Sequence, residues 1–357
     1  MKKRFQAHTK KTGLPPGSLI HTGDVKTQQA TISMMQFNAD HLSETSLSAD
    51  DIAKLQLNTD ELTWINVHGL HNAELIQKIG TQFNVHPLTL EDVLNPEQRP
   101  KVEHFDGYLF IVMRNFYYDS TRYSISSEQV SMVLGKQVLI TFQERATGCF
   151  EPIRERLRNN RGHIREQGLD YLSYALIDII VDRYFNVLEQ MSDDGEIIEE
   201  VLLHKPTNAM LRRIHLLKRA AMDLRRAVWP LREMLNCTLR DDHDYFSPNT
   251  ILHLRDVYDH TVHFIESLEG LRDLLGGMMD IYLSSVSNRV NMEVRALTVV
   301  TMLFMPATLI TGIFGMNFDV MPLLKEVDGF WWTISAMLTV ASIMGLIFWR
   351  RQWLSQH

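Results

Sequence analysis

The stretch ALTVVTMLFMPATLITGIFGMNF, residues 296–318, contains no charged side chain, and neither does FWWTISAMLTVASIMGLIFW, residues 330–349. A helix crosses a hydrocarbon core in about 20 residues, so each stretch is long enough to span a membrane. The loop between them carries Asp319, Lys325, Glu326 and Asp328. The first stretch closes on Gly315-Met316-Asn317. A polar, glycine-containing turn that leads into an acidic loop at a membrane surface is the arrangement expected of a cation entrance.

Two spans place both termini on one side. Arg289 and Arg295 precede the first, and Arg350 and Arg351 follow the second. Positive charge on these flanks marks them as cytoplasmic and leaves the acidic loop outside, as expected of a multi-pass protein of an inner or plasma membrane. Trp331, Trp332, Trp349 and Trp353 fall near the ends of the second span, where amphipathic rings favour the headgroup region.

Upstream lies a polar region large enough to bury a core of its own. The formal charge of −7 argues against nucleic acid as a partner. The absence of a Walker sequence argues against a nucleotide, and no nucleophile–base pairing points to an enzyme. Cys149 and Cys237 follow no metal-ligand spacing, so reduced thiols are expected. The basic residues 1–12 lack the apolar run of a signal peptide.

An α/β module is expected over 18–149, behind a tail 1–17. Residues 63–67, 108–113, 130–134 and 138–142 are rich in β-branched and aromatic side chains and read as strands. Residues 73–83 and 88–94 read as helices, the second opening after His86-Pro87. From 150 to 248 strand signals vanish, and amphipathic stretches 169–203 and 209–239, divided at His204-Lys205-Pro206-Thr207, predict a helical hairpin. Its acidic run (Asp193, Asp194, Glu196, Glu199, Glu200) is expected to pair with its basic run (Arg212, Arg213, Lys218, Arg219, Arg225, Arg226).

A long stalk helix is expected over 249–295, continuing into a first transmembrane helix at 296–315. Leu254, Tyr258, Thr261, Ile265, Leu268, Leu275, Met279 and Tyr282 recur at helical spacings, and no proline falls between Pro248 and Pro306. Continuous helix over this length spans on the order of 100 Å and demands neighbours, including copies of itself. Gly276-Gly277 interrupt the seam, marking either the close approach of a neighbouring helix or a hinge. An external loop at 316–329, a second transmembrane helix at 330–349 and a basic cytoplasmic end at 350–357 complete the chain.

Two spans cannot enclose a pathway, so transport needs an oligomer. Asn291, Val294, Leu297, Thr301, Met305, Thr308 and Gly312 fall on one uncharged face that ends at Gly315-Met316-Asn317. Small polar residues in a span also serve interhelical packing; the position of that turn favours a pore lining, with Pro306 expected to kink the helix. Magnesium prefers six oxygens and dehydrates reluctantly. Neutral amide oxygens accept hydrogen bonds from its waters without the tight grip of a carboxylate ring.

These residues resemble the CorA-type magnesium and cobalt transporters. The resemblance rests on Phe304-Met305-Pro306, Gly312-Ile313-Phe314-Gly315-Met316-Asn317-Phe318 and Met321-Pro322. Upstream it extends through Tyr282-Leu283-Ser284-Ser285-Val286-Ser287-Asn288, Arg255-Asp256-Val257-Tyr258-Asp259-His260, Trp229-Pro230-Leu231-Arg232-Glu233, Gln98-Arg99-Pro100-Lys101-Val102-Glu103, Glu91-Asp92, His86-Pro87-Leu88 and Gly13-Leu14-Pro15-Pro16-Gly17. It implies an α+β membrane protein forming a homopentameric funnel in the lipid bilayer, with magnesium as both transported and regulatory ion and cobalt as a second substrate. It also implies a selectivity filter at Gly315, Met316 and Asn317. Asp92 with Asp256 is implied as a regulatory site between subunits, Glu91 and Asp178 as a second position, and Asp280 as a third.

The chain departs from the family pattern at Val294, often methionine, at Val290 and Met292-Glu293, and at Leu323, often acidic. These departures bear on gating and ion preference. His68 with His71, and His253 with His260, lack the spacing of closed zinc sites. A zinc transporter of the same fold and a non-conducting, membrane-anchored cation sensor are the alternative functions.

Overall fold

The computed structural model describes residues 13–204, 206–240, 245–317, 319, 321–323 and 326–351. Most of the tail, Lys205, Phe318, Lys325 and Trp353 lie outside the described residues. The chain divides into two units, one comprising Met1–Val201 and Thr207–Gly277, the other Leu202–Pro206 and Met278–His357.

The first unit is built on β1 (Thr31–Phe37), β2 (Leu42–Leu47), α1 (Ala49–Ile52), β3 (Leu62–His68), α2 (Ala73–Gln82), α3 (Pro87–Val93), β4 (Lys101–Phe105), β5 (Tyr108–Asp119), β6 (Ser124–Gly135), β7 (Val138–Gln143) and α4 (Glu151–Arg158). The strands form one sheet in the order β2-β1-β3-β7-β6-β5-β4. Neighbours are antiparallel except β3 and β7, which run parallel with Ile65 opposite Ile140.

Strand side chains alternate between faces, and in β5 both sets are buried: Tyr108, Phe110 and Val112 on one side, Leu109, Ile111 and Met113 on the other. The first set joins Ile76 and Ile79 of α2 and Leu90 and Val93 of α3 in one core. On the opposite side Trp64 of β3 meets Phe150 edge-on, with the Arg154 guanidinium of α4 over its ring. Both cysteines are free, Cys149 buried and Cys237 exposed.

The four expected strands are present, with β5 and β6 extended to 12 residues each. The other three carry weaker signals. β1 centres on Met34-Met35, and β2 and β4 are the two edges, where polar residues such as Ser43, Glu44, Lys101 and Glu103 discourage further pairing.

The longer helices follow their seams. α5 (Leu169–His204) and α6 (Asn208–Arg240) flank the turn at Pro206, and α7 runs unbroken for 67 residues, Pro248–Phe314. Pro306 lies within α7 without ending it. α8 (Gly329–Arg350) is the second apolar helix. Both α7 and α8 contain windows long and apolar enough to cross a membrane, and those windows are almost wholly unburied within the chain.

Tyr184 and Phe185 of α5 pack on Phe264 of α7, and the Tyr184 hydroxyl donates to the Arg114 carbonyl of β5 at 2.5 Å. The expected pairing of acidic with basic run is corrected. Among the described residues Asp194 accepts from the Tyr118 hydroxyl at 2.6 Å, and Arg225 pairs with Glu269 of α7 at 2.7 Å. The carboxylate paired with Arg225 comes from α7, and among the described residues no ion pair joins the two runs.

Candidate functional site

Three regions carry the expected site residues. In the membrane-type unit, Asn291, Val294, Leu297, Thr301, Met305, Thr308 and Gly312 are all exposed on α7, whereas Val299, off that face, is buried. Thr301, Met305, Thr308, Gly312 and Met316 line a groove of about 720 Å³ with Phe304, Leu309 and Ile313. The threonine hydroxyls are oriented: Thr301 donates to the Leu297 carbonyl and Thr308 to the Phe304 carbonyl, each at 2.9 Å. Their donors are used within the helix, leaving oxygen lone pairs for anything in the groove. At the helix end the Gly315 and Met316 amides still reach back to Thr311 and Ile313, and Asn317 follows exposed.

The second region surrounds α3. Pro87 occupies its first turn, where a missing N–H costs nothing, and His86 caps it through the Leu88 amide. The Tyr108 hydroxyl accepts the His86 amide at 3.0 Å. Glu91 and Asp92 therefore project from the last turn of a helix anchored to the sheet. They share a cavity of about 510 Å³ with Leu88, Val102, Glu103, His104 and Phe105. The Gly17 amide donates to Glu91 at 2.7 Å, and both Asp92 oxygens are occupied, one by Gln98 Nε2 and the other by Lys101 Nζ, each at 2.6 Å. Lys101 also reaches Glu103 at 2.7 Å. Burial lowers the Lys101 pKa, but the bonds to Asp92 and Glu103 outweigh it and hold the ammonium above its ordinary value.

The third region lies between α5 and α7. Asp178 and Asp182 are one turn apart on α5, and His260 of α7 faces them, with donor atoms of all three within 4.8 Å of one another. His260 Nε2 is 3.7 Å from Asp256, one turn earlier on α7. Burial, then repulsion by the Asp182 carboxylate, push Asp178 up to about 6, while the nearby Arg156 and His260 pull the other way.

Within one chain, then, Glu91 and Asp92 come together in one region, and Asp178 and Asp256 in another. No hydrogen bond or ion pair joins Asp92 to Asp256 among the described residues. Asp280 is exposed on α7. A Cβ on Gly277 would meet nothing within 4 Å, and one on Gly276 only Lys218 Nζ at 3.8 Å, so close helix approach within the chain explains neither glycine. Lys101, Glu103, Asp182 and His260 emerge as site residues from the structure; the signal in the sequence was the one-turn spacing of Asp178 with Asp182 and of Asp256 with His260.

Residues 59–351 match the family model of CorA-like Mg2+ transporter proteins. The chain belongs to the CorA family. It is 41% identical to the cobalt/magnesium transport protein CorA of Thermotoga maritima, over 99% of both chains. It is 32% identical to the putative metal ion transporter YfjQ of Bacillus subtilis, over 80% of this chain and 87% of that one. In structure it resembles the CorA magnesium transporter of Methanocaldococcus jannaschii with a TM-score of 0.78 at 22% identity, over 90% of this chain and 98% of that one. The structural match supports the coarse architecture of a CorA fold: an N-terminal α/β domain, a long helix and two C-terminal apolar helices.

Proposed function

We propose that this CorA-family chain is a divalent-cation uptake channel for magnesium, with cobalt as a second substrate. It acts as a homopentamer in an inner or plasma membrane with both termini cytoplasmic. The α/β domain occupies 18–149, the helical hairpin 150–248 and the stalk 249–295. Residues 296–315 and 330–349 cross the bilayer, joined by the external loop 316–329, with 350–357 on the cytoplasmic side. The relatives' printed substrates, magnesium and cobalt, support the choice of ions.

The observation that carries this reading is the α7 face. Seven residues at helical spacing are exposed and uncharged, and the two threonines among them turn oxygen acceptors outward. In a ring of five helices this face becomes the wall of a pathway whose entrance is Gly315-Met316-Asn317. A hydrated magnesium ion donates hydrogen bonds through its waters, so amide and hydroxyl oxygens hold it without stripping its shell. Leu297, Met305 and Val294 form constrictions able to close by dewetting. A membrane potential, worth about 4.6 kcal/mol for two charges per 100 mV, drives entry without a nucleotide.

Closure follows from carboxylates facing one another between subunits. Asp92 with Asp256, supported by Glu91, Asp178 and Asp280, repel when unoccupied, and bound cytosolic magnesium offsets the repulsion and favours the closed assembly. Gly276 and Gly277 act as the hinge. The test is magnesium flux into liposomes holding purified protein, with wild type and Asn317→Ala at low and high internal magnesium. Flux that needs Asn317 and declines as internal magnesium rises is the expected result; no flux from intact wild-type pentamers overturns the channel reading.

A further inference from the structure

The acidic and basic runs of the helical hairpin stay apart within one chain, and packing turns both toward solvent. Gly195 is buried where α5 meets its neighbours: a Cβ there would lie 3.5 and 3.8 Å from Leu271 and Leu274 of α7 and 3.9 Å from Leu217 of α6. With Met191, Gly195 and Ile198 turned inward, helical spacing leaves Asp193, Glu196 and Glu200 exposed, and Ile197 and Val201 exposed among them. On α6, Ile214, Leu217, Leu224 and Val228 are buried, while Arg212, Arg219 and Arg226 are exposed beside Met222 and Trp229. Asp194 is engaged by Tyr118 and Arg225 by Glu269. Among the described residues the side chains of Asp193, Glu196, Glu200, Arg212 and Arg226 make no hydrogen bond or ion pair, and Arg219 reaches only Asp223 of its own helix, at 4.0 Å.

We propose that these stripes are a docking surface between copies of this chain: the acidic face of α5 in one copy lies on the basic face of α6 in the next. Two helices joined by the short segment 205–207 run antiparallel, so residues equally far from Pro206 lie at equal height. Glu200 and Arg212 are each six residues from it, and Asp193 and Arg219 each thirteen. A contact around a ring is heterologous and brings two different faces together, and copies related by rotation about one axis keep their heights. Glu200 therefore meets Arg212 of the partner subunit, and Asp193 meets Arg219 of the partner subunit. A partner of one sign would answer one stripe and repel the other, whereas a ring of copies satisfies both. Pairs on exposed helices are individually weak and screened by salt, so this contact orients the hairpins rather than holding the ring together. The inference rests on the proposed homopentamer but uses only the soluble hairpin.

The test is disulfide trapping in full-length protein in detergent, with Cys237→Ser removing the exposed thiol. Chains carrying Glu200→Cys are co-expressed with chains carrying Arg212→Cys and oxidised; a disulfide needs Cα atoms within about 7 Å. Disulfide-linked dimers are expected from the mixture and from neither variant alone, because a heterologous contact never brings a face to itself. Asp193→Cys with Arg219→Cys should behave alike, whereas Glu200→Cys with Arg226→Cys, mismatched by about 21 Å in height, should give none. Raising the salt to 1 M during oxidation should cut the yield severalfold. Native mass spectrometry of the same samples reads the assembly separately. Pentamers without the matched dimers overturn the docking and leave the pentameric reading intact. Absence of pentamers overturns both, and dimers from either single variant or from the mismatched pair overturn the proposed register.

Discussion

Lys101 Nζ lies 2.6 Å from Asp92 Oδ2 and 2.7 Å from Glu103 Oε1, so a tethered ammonium occupies the carboxylate pair a divalent ion would seek. Both partners are partly exposed, and a pair of this kind contributes up to about 1 kcal/mol, or about fivefold in an equilibrium constant. In the proposed regulation Lys101 competes with magnesium for Asp92 and sets the concentration at which the channel closes. Lys101→Met is expected to lower the internal magnesium needed for half-inhibition of flux about fivefold. A midpoint unchanged or raised removes Lys101 from the regulation.

His68 gives the fold a pH dependence. Burial, reinforced by repulsion from Arg154, lowers its pKa to about 4, against a hydrogen bond with Gln143 that raises it. The ring is neutral in the folded chain and charged when unfolded, between about pH 4 and 6.5. The unfolded state binds more protons there, so stability rises with pH across the window and is lost on acidification, by at most about 1.4 kcal/mol per pH unit from this group. Thermal unfolding of His68→Gln between pH 4 and 7 should show a flatter slope than wild type.

Gly276 and Gly277 are helical positions with room for a methyl group. Alanine at either is expected to stabilise α7 by up to about 1 kcal/mol, seen as a raised melting temperature. If the pair is the hinge, the same variants slow the response of flux to internal magnesium. A raised melting temperature with an unaltered response removes the hinge while leaving the helix argument intact.

Thr308→Val keeps the shape of the groove and deletes one outward acceptor. Flux should decrease severalfold with assembly unchanged, less than the loss expected of Asn317→Ala. Asn317→Asp is expected to bind external magnesium more tightly and to pass it more slowly, because a carboxylate ring holds a divalent ion longer than an amide ring. Unchanged maximal flux in both variants would count against this face as the lining.

Much of the architecture was legible from periodicity. The first part of α7 was readable because Leu254, Thr261, Leu268 and Leu275 keep a strict spacing, each buried at 1% exposure or less, and the rest from the uncharged run that begins at Ala296. β2 and β4 were not, because an edge strand buries little and carries polar side chains, as Leu42–Leu47 and Lys101–Phe105 do. The acids were visible one at a time. Their partners were hidden: Lys101 reaches Asp92 only because Gln98-Arg99-Pro100 turns the chain back, and His260 reaches Asp178 only through the packing of α5 on α7. Local spacing marks a carboxylate, but tertiary contact decides what neutralises it.

In the proposed pathway, the direction of two hydrogen bonds in α7 bears on the sign of the ion that passes. Thr301 and Thr308 give their protons to carbonyls of their own helix, so between Asn291 and Asn317 these hydroxyls offer only lone pairs. Waters around a cation turn hydrogens outward and find acceptors there; waters around an anion turn oxygens outward and find no donors. In the proposed pathway these two hydroxyls favour a hydrated cation over a hydrated anion without a formal charge.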